Sequence, residues 1–107
     1  FNTIPNSATN RDNITDFNVA ADTIRLENTG AGLFTMLANG FLSGAAFKAN
    51  VTGTATDADD RIIYNTTTGA LSYDSNGSIG GSANAIQFAT LTSVVKPALT
   101  NSDFFIF

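Results

Sequence analysis

Arg61-Ile62-Ile63-Tyr64-Asn65-Thr66-Thr67-Thr68-Gly69-Ala70-Leu71-Ser72-Tyr73-Asp74 is the stretch whose reading decides the fold. Two runs rich in β-branched and aromatic residues flank a short polar loop that ends in glycine, the pattern of a β-hairpin. If residues 66–69 form the loop, Asn65 faces Ala70, Tyr64 faces Leu71, Ile62 faces Tyr73 and Arg61 faces Asp74. Ile62, Tyr64, Leu71 and Tyr73 then share one face, and that apolar face has to be covered. Gly69 suits the loop's last position, where a positive φ excludes most side chains. A bulge at Gly69 would move every pairing by one.

A compact chain of 107 residues makes one domain with a radius of gyration of about 13 Å. Nine Phe and two Tyr, with no Trp, give it an aromatic core. Only 13% of the residues are charged, against about a quarter in an average soluble domain. Its surface must therefore be built from Thr, Asn and Ser, as in many secreted or surface-exposed β domains. A net charge of -4 and a sequence pI near 4.2 repel phosphate backbones and anionic lipid, so nucleic acid is not an expected partner. Cysteine and histidine are both absent. Disulfides, thiolate metal sites, the usual zinc sites, a His-based triad and a His general base are thereby excluded. The apolar runs fall far below a membrane-spanning length, so no membrane insertion is expected. The chain opens on Phe1 without a basic-then-apolar leader and reads as a fragment or a processed product.

Outward from the hairpin, residues 1–11 read as a polar lead-in from a larger protein, and residues 12–107 as a single β domain. Ile14, Phe17 and Val19 mark a first strand whose period slips near Thr15 and Asp16, the sign of a turn or bulge. Asp22-Thr23-Ile24-Arg25-Leu26-Glu27 alternates cleanly, with Ile24 and Leu26 inward. Leu33-Phe34-Thr35-Met36-Leu37 reads as one or two helical turns stopped at Asn39-Gly40. Ser43 is placed to cap a short turn from Gly44 to Phe47, with Leu42 and Phe47 as buried anchors. Residues 51–58 suit an exposed strand or loop. Asn76-Gly77 favours a tight turn within the flexible loop 75–82. Ile86 and Phe88 point inward from a strand in which Leu91 falls just beyond the period. Thr100 caps a turn through Asp103, and Phe104-Phe105-Ile106-Phe107 closes the chain as an apolar strand. The class is all-β: a small cap or sandwich-like domain with one or two short helical turns. Core positions are Ile24, Leu26, Ile62, Tyr64, Leu71, Tyr73, Phe88 and Phe104.

Oxygen ligands alternate in Asp74-Ser75-Asn76-Gly77-Ser78, an arrangement that suits calcium, which takes several hard oxygens from a flexible loop. It is not an EF-hand, because the twelfth position is Ala85 rather than an acid. The competing use of the Asp74 carboxylate is a cross-strand pair with Arg61, worth little if exposed. Asp57, Asp59 and Asp60 form either a second calcium cluster or a solvated loop. Tyr64 and Tyr73 either pack in the core with their hydroxyls at its edge or stand exposed to stack on a sugar ring. No group supports paired-carboxylate hydrolysis, so the domain is expected to be non-catalytic.

Several segments together resemble the C-terminal region of bacterial RTX proteins, secreted calcium-binding proteins built on nonapeptide repeats. They are Asp12-Asn13-Ile14-Thr15-Asp16-Phe17, Asp22-Thr23-Ile24-Arg25-Leu26, Leu42-Ser43-Gly44-Ala45-Ala46-Phe47, Asp59-Asp60-Arg61-Ile62-Ile63-Tyr64-Asn65, Thr68-Gly69-Ala70-Leu71-Ser72-Tyr73-Asp74 and Leu99-Thr100-Asn101-Ser102-Asp103-Phe104. The resemblance implies a last rung of a parallel β-roll passing into a β cap, with Asp12 at the repeat's aspartate position, Ile14 at its buried position and Asp16 at its terminal ligand position. It implies calcium as the cofactor, with Asp12, Asp16, Asp74 and Asn76 as the metal residues. Ser7-Ala8-Thr9-Asn10 departs from the pattern where glycines belong, and Asn76 stands where a second acid belongs. The resemblance further implies upstream β-roll repeats as a partner and type I secretion machinery that reads the C-terminal residues, here Asp103 followed by Phe104-Phe105-Ile106-Phe107.

The sequence therefore leads us to expect a secreted, non-catalytic C-terminal cap and secretion domain of a calcium-binding RTX-like protein. The alternatives are a polysaccharide- or surface-binding module and an accessory domain of an extracellular hydrolase.

Overall fold

A computed structural model describes residues 1–9, 11–30, 34–79 and 85–107. The hairpin has the register read from the sequence: in β5 (Ile62–Asn65) and β6 (Ala70–Asp74), Ile62 pairs with Tyr73 and Tyr64 with Leu71. Gly69 has φ +80°, and its N–H donates to the Asn65 carbonyl at 2.8 Å. The Asn65 side chain accepts from the N–H groups of Thr67 and Thr68, both at 2.9 Å, which closes the loop from within.

Three further strands flank the hairpin, two beside β6 and one beside β5. The large sheet has the order β1-β7-β6-β5-β4, with β1 (Asp12–Ile14) and β4 (Phe47–Asn50) at its edges and β7 (Ala85–Leu91) beside β6. Its three central strands are antiparallel, whereas β1 runs parallel to β7 and β4 parallel to β5. The register of β6 on β7 shifts between Leu71 and Ser72, which pair with Ala89 and Gln87. Phe88 is the extra residue, and this bulge explains why Phe88, Ala89 and Leu91 are all buried despite breaking strict alternation. Ile86, expected inside, pairs with Tyr73 at the far end of the sheet and remains 37% exposed.

The small sheet has the order β2-β8-β3, made of β2 (Ile24–Leu26), β8 (Phe104–Ile106) and β3 (Gly40–Phe41). Its central strand is thus contributed by the last residues of the chain. Ile24 pairs with Phe104 and Leu26 with Ile106, and all four turn into the core shared with Ile62, Tyr64, Leu71, Tyr73 and Phe88. Every core position expected from the sequence is buried. Phe34 joins them, with its ring edge-on to Tyr73 and to Phe88 at centroid distances of 5.1 Å, a favoured aromatic geometry. Phe47 packs against this core, with its ring 5.5 Å from that of Phe104. The domain is all-β, with 3-10 turns at Gly44–Ala46 and Asn101–Asp103 as its only helical elements among the described residues.

Two local expectations are corrected. Phe34 to Leu37 is a single hydrogen-bonded turn, Leu37 N–H to Phe34 carbonyl at 3.1 Å, not a helix; Leu33 lies outside the described residues. The 3-10 turn after Ser43 forms without a side-chain cap from that serine. Residues 51–58, read as an exposed strand or loop, are loop, and strand β4 lies just ahead of them at 47–50. Residues 80–82 of the expected flexible loop 75–82, and Asn10, also lie outside the described residues.

Candidate functional site

Three acids are buried, and each is held differently. Asp60 stands just before β5, and its Oδ2 accepts from the Thr56 N–H (2.8 Å), the Thr56 hydroxyl (3.2 Å) and the Asp57 N–H (3.1 Å). It is therefore a local clasp on the chain entering the hairpin. Asp57 and Asp59 are exposed, with the Asp59 N–H bonded to Asp57 Oδ1 at 2.9 Å. The acidic run is thus one buried clasp beside two solvated carboxylates. The turn expected from Thr100 through Asp103 forms, and the Asp103 carboxylate closes it by accepting from the Thr100 N–H at 2.7 Å.

Asp74 differs from both. It ends β6 at 0% exposure; its Oδ1 accepts from the Asn76 N–H at 3.1 Å, while its Oδ2 is buried with no hydrogen-bond partner. Asn76 Oδ1 is buried and unpartnered in the same way. The main chain fixes this turn firmly: the Asp74 N–H donates to the Arg61 carbonyl at 2.8 Å, and the Ser78 N–H to the Asp57 carbonyl at 2.9 Å. Gly77 has φ +62°, and a Cβ there would lie 2.6 Å from the carbonyl oxygens of both Asp57 and Ala58. Only glycine lets the turn sit so close to the 57–58 backbone. Arg61 does face Asp74, but its guanidinium donates to the carbonyls of Ala58 (2.7 Å) and Asp60 (3.3 Å) instead of to the carboxylate.

The remaining expected metal residues lie at the other end of the chain. Asp12 is exposed on edge strand β1, and Asp16 is exposed on the bend that follows it. Asp16 and Asp22 border a cleft of about 460 Å³, with Phe17, Ile24 and Arg25 also on its walls. The Asp22 carboxylate is engaged by the Asn18 N–H at 2.9 Å. Among the described residues, no three acidic side chains come together to hold a metal. Asp74 and Asn76 are brought together; Asp12 and Asp16 do not join them. Sequence reading missed the inward-facing carbonyls of Asp57 and Ala58, because backbone oxygens carry no residue signature. Gly77 was the available signal.

Of their two expected places Tyr64 and Tyr73 take the core, at 1% and 5% exposure, and not an exposed sugar platform. Their hydroxyls tie down neighbouring backbone: Tyr64 donates to the Pro97 carbonyl at 2.9 Å, and Tyr73 accepts from the Met36 N–H at 3.1 Å. The exposed aromatic feature lies elsewhere, on the outer face of the small sheet. There Phe41 meets Phe105 edge-on at 5.2 Å, and the Arg25 guanidinium lies 4.5 Å from the Phe107 ring centroid. No family model, curated protein or solved structure matches this chain.

Proposed function

We propose that this domain is the non-catalytic C-terminal cap of a secreted, RTX-like calcium-binding protein and carries its type I secretion signal. The observation that carries the reading is the position of β1. It is the chain's first strand, lies at the edge of the large sheet and runs parallel to β7. A parallel β-roll grows by adding parallel strands in chain order and ends on an unpaired edge that invites association. A domain whose first strand continues that parallel direction, and whose strands beyond it in the sheet, β7, β6 and β5, are antiparallel, would end the array. At the opposite edge β4 carries Lys48, a charge of the kind that keeps foreign strands away.

The fate of the C-terminal residues supports the secretion half of the reading. Phe104 and Ile106 are wholly buried in the central strand of the small sheet. A receptor can read them only in an unfolded chain, which suits export before folding and folding outside the cell where calcium is abundant. The test fuses residues 1–107 behind an array of consensus calcium-binding nonapeptides. Capping predicts a monodisperse, calcium-folded array that aggregates when the domain is absent, and equal behaviour with and without it rejects the cap. Export of the same fusion by a type I exporter should be lost when residues 103–107 are removed.

The Phe41, Phe105, Phe107 and Arg25 row favours a second reading, a module for polysaccharide or a surface partner. Titration with soluble polysaccharides, read against Phe41→Ala, separates it from the first.

A further inference from the structure

At the exit of the hairpin, two buried oxygens face no donor. Asp74 Oδ2 and Asn76 Oδ1 stand two residues apart in one turn, and both are acceptors, so neither can satisfy the other. Buried acceptors are nearly always paired, and the other buried acids follow that rule: Asp60 Oδ2 takes three donors, and Asp103 Oδ2 takes the Thr100 N–H. The nearby guanidinium of Arg61 is spent on backbone carbonyls. More acceptors crowd the same turn, since the carbonyl oxygens of Asp57 and Ala58 converge on Gly77. A buried carboxylate oxygen and a buried amide oxygen that both lack a donor are completed by a cation.

We propose that the turn at 74–77 binds a hard divalent cation, calcium, through Asp74 Oδ2 and Asn76 Oδ1, with water filling the remaining positions. Calcium tolerates an irregular shell of carboxylate, amide and carbonyl oxygens, whereas magnesium demands a near-ideal octahedron. With one formal charge in the site, affinity should fall in the weak class, a Kd on the order of 10⁻⁴ to 10⁻³ M. Binding would lock the hairpin exit onto the 57–60 loop that leads into the same hairpin. The site rests on the two unpaired oxygens alone, so its failure leaves the capping argument from β1 untouched, and the reverse holds as well.

The experiment is calcium titration of the 107-residue chain, following heat of binding and thermal midpoint, with magnesium at matched ionic strength as the comparison. Saturable uptake of about one ion per chain is expected, with a midpoint rise of several degrees at about 10 mM calcium. Asp74→Asn should remove the uptake and Asp57→Asn should keep it. Asn76→Asp should lower the midpoint without calcium, through like-charge repulsion, and tighten half-saturation about tenfold or more. No uptake by the folded chain, uptake that survives Asp74→Asn, or an equal response to magnesium overturns the site and leaves the oxygens to a buried water. Should Asp74→Asn not fold, absence of tightening in Asn76→Asp overturns it equally.

Discussion

The Tyr64 hydroxyl donates to the Pro97 carbonyl at 2.9 Å from a ring that is otherwise sealed in the core. One side chain thus serves the hairpin and fastens the segment between β7 and the second 3-10 turn. Tyr64→Phe keeps the ring and orphans the carbonyl, so it should cost about 1–2 kcal/mol. Urea unfolding checks this, with a lower midpoint and an unchanged slope as the expected result.

The same residue predicts a response to alkali. Burial raises the Tyr64 ionisation above its ordinary value near 10.0. Its folded form therefore holds the proton where the unfolded chain releases it. The stabilisation is complete below the unfolded value and is lost as pH rises through 10 towards the folded value. Unfolding free energy measured between pH 9 and 11 should fall with pH, and the fall should be shallower in Tyr64→Phe than in the wild-type chain.

Gly69 predicts a backbone effect. Its φ of +80° is costly for an L-residue, and a Cβ there would overlap the Leu91 carbonyl oxygen. Moreover, its own carbonyl accepts the Leu91 N–H at 2.8 Å, so moving the loop away breaks a bond to β7. Gly69→Ala should destabilise by about 2 kcal/mol or more, combining strain with the lost contact. A thermal midpoint within a degree of wild type would refute this account.

What could be read in advance follows from the range of each interaction. The hairpin was legible because its register depends on a loop glycine and on alternation within a few residues, and β2 was legible for the same reason. Strand β4 escaped notice because Phe47-Lys48-Ala49-Asn50 contains no β-branched residue and is held by its neighbour Ile62–Asn65 rather than by propensity. The pairing of Ile24 with Phe104 spans most of the chain, and no local pattern announces a parallel partner at that distance. At the site, spacing singled out Asp74 and Asn76, but their burial without partners depends on the fold. Asp60 looked like part of a solvated acidic run until its carboxylate proved to be bonded inward to Thr56 and Asp57.

The C-terminal strand supplies the sharpest comparison, because two phenylalanines of the small sheet face opposite ways. Phe104 is 0% exposed, pairs with Ile24 and touches Phe47, whereas Phe41 is 65% exposed and meets only the outer ring of Phe105 among the described aromatic contacts. Phe104→Ala removes a filled core volume and should cost about 3–5 kcal/mol. Phe41→Ala forfeits one edge-on contact, about 0.5–1.5 kcal/mol. Deleting residues 104–107 should be worse than either, because it withdraws the strand that both β2 and β3 pair with and leaves their backbone groups unsatisfied. For a domain of this size, with total stability of about 5–15 kcal/mol, that deletion should yield a chain without a cooperative thermal transition, as read by circular dichroism. A cooperative transition in the truncated chain would mean that the large sheet folds by itself and that the last strand only docks onto it.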